Sequence, residues 1–251
     1  MDAADRTDAQ LGLPGVGAEP GPERERFPVP ASRGLLGLVV AAVATLLAAM
    51  VLAIAFAAGG ASDIDKNHAF VLLATLAQDA VFVLTAYALT ADAGRVSSQT
   101  FGARRFAAAS AFGTMAVAFV AYVALSAVYS ALVGPPCDDL PDDLGVREST
   151  LLAVIAGVFV IGIAPVAEEL FFRGFLFQSL RRSWGVWIAA PASGFIFGAV
   201  HFDPDKLVPL AILGTALAMV FHRTRSLWPC VLLHGLNNTI AFVVLLSGSS
   251  C

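Results

Sequence analysis

An apolar stretch, residues 34–59, constrains this chain more than any other feature, because no charged residue interrupts it. A helix needs about 20 consecutive apolar residues to cross a bilayer, so a stretch of this length indicates a membrane span. Further apolar segments occupy approximately residues 69–91, 106–134, 150–180, 185–202, 207–221 and 227–247, of which the two before the last are short for a span. The pattern predicts an all-α fold, a polytopic membrane helical bundle of about seven transmembrane helices.

The composition supports a membrane protein and argues against a nucleic-acid partner. Hydrophobic residues make up 58% of the chain and charged residues 14%, whereas soluble domains are about 45–50% apolar and about 25% charged. The net charge is −4, and no basic patch with interleaved aromatic residues is present, unlike a nucleic-acid-binding surface. The cysteines, Cys137, Cys230 and Cys251, have no metal-binding or redox spacing. We therefore expect the lipid bilayer around the chain and no nucleic acid among its partners.

The first 32 residues differ from the rest, being rich in Pro, Gly, Ala and charged residues. Such a segment has too few large apolar side chains to bury and order itself. We predict a disordered N-terminal tail over residues 1–32 and N-terminal transmembrane helices over residues 33–149. Residues 150–249 form a C-terminal transmembrane core, which carries most of the polar residues that the spans contain.

Basic and acidic residues alternate between successive connections. Arg24, Arg26 and Arg33 precede the first span, and further arginine clusters follow the second, fourth and sixth. The other connections are acidic: "SDIDK", "CDDLPDDLGVRE" and "DPDK". Because basic connections face the cytoplasm, we predict a cytoplasmic N-terminus and an external C-terminus. The Ala- and Val-rich composition is typical of a bacterial chain, so we expect a multi-pass protein of the bacterial plasma membrane.

The fourth apolar segment carries charge in its middle, in the stretch "APVAEELFFRGFLFQSLRR". Glu168, Glu169 and Arg173 lie there, although an ionised side chain at the bilayer centre costs about 2.5–3.5 kcal/mol even on insertion scales. Each such residue alone could be a structural ion pair, a helix cap or a bridge between helices. They indicate a functional site only if several of them meet. The other polar residues in the predicted spans are Gln78, Asp79, His201, His234, Asn237 and Asn238.

Helix geometry predicts that several of these residues do meet. If the fourth and fifth segments form a hairpin that turns near residues 183–185, Glu168 and His201 both lie about 24 Å from the turn, at one depth. His234 enters from the same side in the seventh segment, about 10 Å in. Phe197 lies one helical turn before His201, and we expect it to line the same pocket.

Helical spacing also separates the two glutamates. Adjacent side chains point about 100° apart, so Glu168 and Glu169 cannot share one partner. Glu169 and Arg173 are i and i+4 with the acid first, the favourable order for an ion pair. Arg173 is therefore expected to neutralise Glu169, which leaves Glu168 to face the interior of the bundle.

One carboxylate, two imidazoles and an amide are suited to hydrolysis of an amide bond. Glu168 is a candidate general base that takes a proton from water, with His201 holding that water. His234 and Asn238 share a helix face and could donate hydrogen bonds to an oxyanion, with Asn237 nearly as well placed. Alternatively, Glu168, His201 and His234 could bind Zn²⁺, since carboxylate and imidazole are zinc ligands. The residues alone do not separate a metal-free mechanism from a zinc one.

Three motifs resemble those of a known family. "EELFFR" at residues 168–173, "FGAVH" at 197–201 and "HGLNN" at 234–238 match, in order, the EExxxR, FxxxH and HxxxN patterns of the CPBP family. These are the CAAX-processing and bacteriocin-processing intramembrane proteases, or Abi family, which include Rce1-type prenyl endopeptidases. The resemblance covers about residues 151–244.

The resemblance implies a role for each matched residue. Glu168 and His201 would activate water, and His234 and Asn238, rather than Asn237, would form the oxyanion site. Glu169 and Arg173 would support them, completing the predicted site. The family has been described both as metalloproteases and as metal-free glutamate proteases, so the zinc alternative stays open. The expected substrate is a peptide precursor, a bacteriocin leader or a membrane protein.

Two other classes of function compete with an intramembrane endopeptidase. Some members of the family act as non-catalytic membrane regulators or scaffolds, which would not need Glu168 to react. A proton or ion transporter could use Asp79, Glu168 and His201 as a relay, but the two halves of the chain show no repeat symmetry. For Asp79 we favour a structural role, such as pairing with Arg173.

Overall fold

The computed structural model describes residues 27–61, 63–94, 96–134, 146 and 148–246. These residues form seven helices, two short 3₁₀ turns and no strand, so the predicted all-α membrane bundle is confirmed. The helices are α1 (Ala31–Ala58), α2 (His68–Ala91), α3 (Ala108–Val133), α4 (Thr150–Trp184), α5 (Val186–Ala199), α6 (Pro204–Thr224) and α7 (Trp228–Leu246).

Five of these helices, α1 to α4 and α6, are long and apolar enough to cross a bilayer by length and composition. Helix α6 has 21 residues. The sequence-based prediction of a short sixth span is therefore wrong. It starts earlier than predicted because Asp203 caps it, accepting hydrogen bonds from the backbone N–H groups of Asp205 and Lys206. Partial burial opposes ionisation of Asp203, but hydrogen bonds and charge from Lys206 outweigh it and lower the pKa of Asp203. Helix α5, with 14 residues, is as short as predicted.

Residues 27–30, which precede the helices, already pack against the bundle, although the sequence predicted a tail as far as residue 32. Phe27 and Val29 are buried, and the Arg182 guanidinium donates hydrogen bonds to the carbonyl oxygens of Phe27 and Pro28. The Phe27 ring also packs edge-on against Phe175, with centroids 6.4 Å apart. The predicted tail, residues 1–32, therefore ends too late, and its residues 1–26 lie outside the described part of the chain, as does most of the acidic connection before α4.

Helix α4 is the central element of the bundle. Every residue from Phe171 to Leu180 is buried, because α1, α2, α5 and α6 all pack around this part of α4. Its 35 residues would rise about 52 Å as a regular helix, against a hydrocarbon layer of about 30 Å. Helix α4 is therefore longer than the layer is thick, and it continues past the predicted end near residue 180.

The backbone of α4 is irregular on both sides of the two glutamates. Wide, π-helical turns occupy Val158–Ile163 and Leu170–Phe177, and the regular segment between them is Ala164–Glu169. Pro165 has no N–H to donate to the carbonyl of Ile161, four residues earlier, which removes one regular helical hydrogen bond. Wide turns of this kind inside α-helices are frequent at functional sites.

Glycines hold α5 against α6. Gly194 and Gly198 are four residues apart, the small-xxx-small arrangement that lets membrane helices approach closely. A Cβ atom at Gly194 would lie 2.5 Å from the backbone N of Thr215, and one at Gly198 would lie 2.5 Å from the carbonyl oxygen of Leu207. Close packing thus fixes the short helix α5, and with it the position of His201 just beyond its end.

We expect Gly194→Val to destabilise the protein by about 1–3 kcal/mol, because the new side chain cannot fit without separating α5 from α6. Thermal unfolding of the purified protein in detergent measures this effect. Gly113→Ala in α3 is the matched control: no atom lies within 4 Å of a Cβ there, and alanine favours a helix. A Gly194→Val protein as stable as the control would contradict the close packing.

Candidate active site

The centre of the site is a buried carboxylate with two partners. Glu169 and Arg173 are both completely buried, and Arg173 Nη1 donates a hydrogen bond to Glu169 Oε1 at 2.6 Å. The same oxygen accepts a hydrogen bond from Nδ1 of His234 in α7, at 2.9 Å. The i, i+4 pair was predicted from the sequence, whereas the contact with His234 was not. Glu169 therefore joins the first motif to the third.

Arg173 also connects this pair to the surrounding helices. Its second terminal nitrogen donates a hydrogen bond to the carbonyl oxygen of Gly214 in α6, at 3.1 Å. Its guanidinium carbon lies 4.5 Å from the ring centroid of Phe197 in α5, within the range of a cation–π interaction. One cation thus holds α4, α5 and α6 at a common point.

Glu168 has a different environment from its neighbour. Its side chain is 15% exposed, and its Oε2 lies 3.8 Å from Nε2 of His234. That Oε2 atom is buried and has no hydrogen-bond partner among the described residues. Because His234 Nδ1 already donates to Glu169, its Nε2 is the nitrogen that faces Glu168. The predicted separation of the glutamates, one paired and one turned toward the interior, matches this geometry.

His201 lies at the edge of the cluster. It follows the end of α5, its side chain is exposed, and its Nδ1 lies 2.7 Å from the carbonyl oxygen of Phe197. Because a carbonyl only accepts, Nδ1 carries a proton, and in the neutral ring Nε2 keeps a lone pair. The rings of His201 and His234 contact the same Phe197 ring, with centroid distances of 5.0 and 5.6 Å. Phe197 thus lies between the two imidazoles, as a residue lining the pocket would.

Asn238 is held by the irregular part of α4. Its Nδ2 donates a hydrogen bond to the carbonyl oxygen of Val160, at 2.9 Å, within the first wide turn. Gly235, on the same helix, approaches so closely that a Cβ there would lie 2.9 Å from the carbonyl oxygen of Ile161. Asn237 contacts Asn238 at 3.4 Å rather than α4. The wide turn therefore provides the surface against which α7 and Asn238 are positioned.

Asp79, in α2, does not form the pairing that we expected from the sequence. It is buried, at 4% exposure, and neither of its carboxylate oxygens has a hydrogen-bond partner among the described residues. The suggested pairing with Arg173 is not formed, since Arg173 donates to Glu169 and Gly214. Asp79 lies instead within electrostatic range of Glu168.

The zinc alternative has no assembled ligand set. Within the described ranges, no three His, Cys, Asp or Glu side chains converge as a metal ion would require. Of the predicted ligands, Glu168 and His234 adjoin each other, whereas His201 is exposed and directed to a backbone carbonyl. A zinc ion bound by all three would require His201 to leave Phe197 and turn inward.

We expect Arg173→Met to destabilise the protein by about 3–5 kcal/mol, because it leaves the buried Glu169 carboxylate without its cation. Combining it with Glu169→Leu should recover most of this loss, since no charge is then buried alone. The unfolding free energy or melting temperature of wild type, Arg173→Met and the double variant measures the effect.

The matched control for that experiment is Arg33→Met. Arg33 pairs with Asp92 at 2.7 Å, but both side chains are largely exposed, at 42% and 68%. Breaking an exposed pair costs at most about 1 kcal/mol. If Arg33→Met and Arg173→Met lowered the unfolding free energy equally, the buried pair would contribute no more to stability than the exposed one.

Comparison with known proteins supports the family that the motifs indicate. Residues 150–240 match the sequence model of the family described as Type II CAAX prenyl endopeptidase Rce1-like. A protein of Bacillus subtilis (strain 168), named "Putative membrane peptidase YdiL", is 29% identical over 114 residues. That match covers 45% of each protein, so this chain spans less than half the length of the curated relative it matches. No solved structure matches the chain. The resemblance predicted from the three motifs is confirmed over residues 150–240.

Proposed function

We propose that this chain, in which residues 150–240 have the sequence pattern of the Rce1-like family, is an intramembrane endopeptidase. The observation that carries the proposal is the contrast between the adjacent glutamates. Glu169 is completely buried and its Oε1 is bonded by Arg173 and His234, whereas Glu168 is 15% exposed and its buried Oε2 has no partner among the described residues. A carboxylate oxygen without a hydrogen-bond partner, beside the His234 imidazole, is suited to removing a proton from water.

In the proposed reaction Glu168 is the general base. Water attacks the carbonyl carbon of the scissile peptide bond while its proton passes to Glu168. The C–N bond then breaks, and the leaving nitrogen takes a proton from Glu168, so one carboxylate acts first as base and then as acid. His201 supports this step, because its Nε2 lone pair can accept a hydrogen bond from the water.

His234 and Asn238 are the proposed donors to the oxyanion of the tetrahedral intermediate. Asn238 uses one amide N–H for the carbonyl of Val160, which leaves its second N–H for substrate. His234 donates to Glu169 through Nδ1, so it donates to an oxyanion from Nε2 only as an imidazolium. Glu169 and Arg173 do not contact the reacting atoms in this scheme; they fix the orientation of His234.

The substrate is proposed to be a peptide or membrane protein whose scissile bond reaches the bundle interior. The family is described by cleavage of prenylated C-terminal peptides. Two probes therefore cover the proposal: a fluorogenic peptide with a farnesylated CAAX-type end, and an unlipidated apolar peptide of the same length. The bacterial plasma membrane and a cytoplasmic N-terminus remain our proposals for its location.

We expect Glu168→Gln to lower kcat by about 10²–10⁴-fold, because glutamine keeps the size of the side chain but cannot take a proton. Asn238→Ala should lower it by about 10²–10³-fold, through loss of one oxyanion donor. Cleavage of the two probes by purified protein in liposomes measures both effects. Asp205→Asn, an exposed carboxylate in the first turn of α6, is the control and should leave kcat unchanged. Equal cleavage by wild type and Glu168→Gln would refute the mechanism and favour a non-catalytic regulator.

We expect cleavage to survive preincubation with 1,10-phenanthroline, because the three predicted zinc ligands are not brought together in the bundle. The residual rate of wild type after removal of chelator and metal by gel filtration measures this. Loss of activity that added Zn²⁺ restores would contradict it, and would mean that His201 turns inward to complete a zinc site with Glu168 and His234.

A further inference from the structure

The carboxylate of Asp79 has no structural explanation in the fold. It lies in the middle of α2, at 4% exposure, and neither oxygen accepts a hydrogen bond from any described residue. Burying a polar group without a hydrogen bond is unfavourable, and burying a carboxylate more so. Arg173 bonds Glu169 and the Gly214 carbonyl through its two terminal nitrogens, and it is not bonded to Asp79, although its Nε also has no partner among the described residues. Asp79 therefore neither neutralises a charge nor bridges two helices.

Helix packing places Asp79 opposite Glu168. Asp79 and Phe82 are three residues apart and share one face of α2, as Glu168 and Phe171 do on α4. The rings of Phe82 and Phe171 stack, with centroids 4.7 Å apart and planes 16° from parallel. One turn before this stack on each helix, the two carboxylates lie within electrostatic range of each other.

Four buried carboxylate oxygens without partners among the described residues thus occur in one region: both oxygens of Asp79, Oε2 of Glu168 and Oε2 of Glu169. As carboxylates all four are acceptors, so a donor that lies between Asp79 and Glu168 would satisfy an oxygen of each. A water molecule has two O–H donors, enough to bond one oxygen of each carboxylate at once. Such a water would have its lone pairs directed away from both acids.

We infer that Asp79 is a further catalytic residue, which holds the nucleophilic water together with Glu168. The inference rests on the proposed peptidase function. In the reaction, one O–H bond of the water breaks and its proton passes to Glu168, while the oxygen forms the new bond to the carbonyl carbon. The second O–H keeps its hydrogen bond to Asp79, which orients the oxygen, and Glu168 then passes its proton to the leaving nitrogen.

The deciding variant is Asp79→Leu, which removes both acceptor oxygens at similar volume. We expect kcat to fall by about 10²-fold with KM little changed, because Asp79 contacts the water and not the peptide. We also expect the melting temperature to stay equal or rise, since an unsatisfied carboxyl is replaced by an apolar group. Asp79→Asn keeps one acceptor oxygen, so its kcat should lie between those of Asp79→Leu and wild type.

Thr90→Val is the matched control on the same helix. Thr90 is completely buried and its hydroxyl also has no partner among the described residues, but it lies about 16 Å along α2 from Asp79. Its replacement should likewise leave the melting temperature equal or higher, and kcat should not change. A lower kcat at equal or higher melting temperature, found for Asp79→Leu but not for Thr90→Val, separates a role in catalysis from a role in folding.

The experiment uses the two peptide probes, with wild type and Glu168→Gln in parallel. If Asp79→Leu keeps the kcat of wild type while Glu168→Gln has lost activity, the role of Asp79 is overturned and the peptidase function stays in place. A lower melting temperature or loss of folded Asp79→Leu protein would show that Asp79 is structural, and would also overturn it. No cleavage by wild type, or cleavage that Glu168→Gln does not reduce, would overturn the peptidase function and this inference together.

Discussion

The bundle depends on how one buried negative charge is compensated. Glu169 has no access to solvent, and its Oε1 is bonded by Arg173 from its own helix and by His234 from α7. Away from water, an unpaired carboxylate would be costly enough to expel the helix turn that carries it. Because Arg173 also bonds a carbonyl of α6 and lies over a ring of α5, satisfying this one charge fixes the relative positions of four helices. Except for Asp79 in α2, every candidate catalytic group is carried by, or directly follows, one of these four helices.

The irregular backbone of α4 and the glycines of its neighbours serve the same arrangement. Pro165 and the wide turn before it expose carbonyl groups that a regular helix would use internally, and Asn238 bonds one of them. Gly235 and Gly194 allow backbones to approach more closely than any side chain would permit. Positions that weaken an isolated helix are therefore the ones at which helices meet and site residues are held in place. Departures from local regularity are expected at functional sites for this reason.

Two adjacent carboxylates acquire different chemical characters from their surroundings alone. Glu169 is completely buried and its Oε1 is bonded by Arg173 and His234, so it orients its partners, whereas Glu168 is partly exposed and no described residue bonds its buried Oε2. Both carboxylate oxygens of Asp79, in α2, likewise have no hydrogen-bond partner among the described residues. A fold selected only for stability would replace such groups with apolar ones, and this is the basis for the water that we infer between Asp79 and Glu168. This trade of stability for function is common at active sites.

The sequence by itself determined the number and approximate positions of the helices, because the apolar run needed to enter a bilayer is long and is encoded locally. It also determined the Glu169–Arg173 pair, which depends only on spacing within one helix, and the family resemblance carried by three motifs. Tertiary structure alone decided that Glu169 also holds His234, that Asn238 bonds Val160, and that Asp79 lies within electrostatic range of Glu168 without pairing with Arg173. It also placed His201 at the edge of the cluster. These contacts join residues distant in the chain, and helical periodicity gives the direction of a side chain on its own helix but not the rotation of one helix against another. That rotation is fixed by close packing at particular glycines and by the hydrogen bonds that join the buried Glu169–Arg173 pair to neighbouring helices.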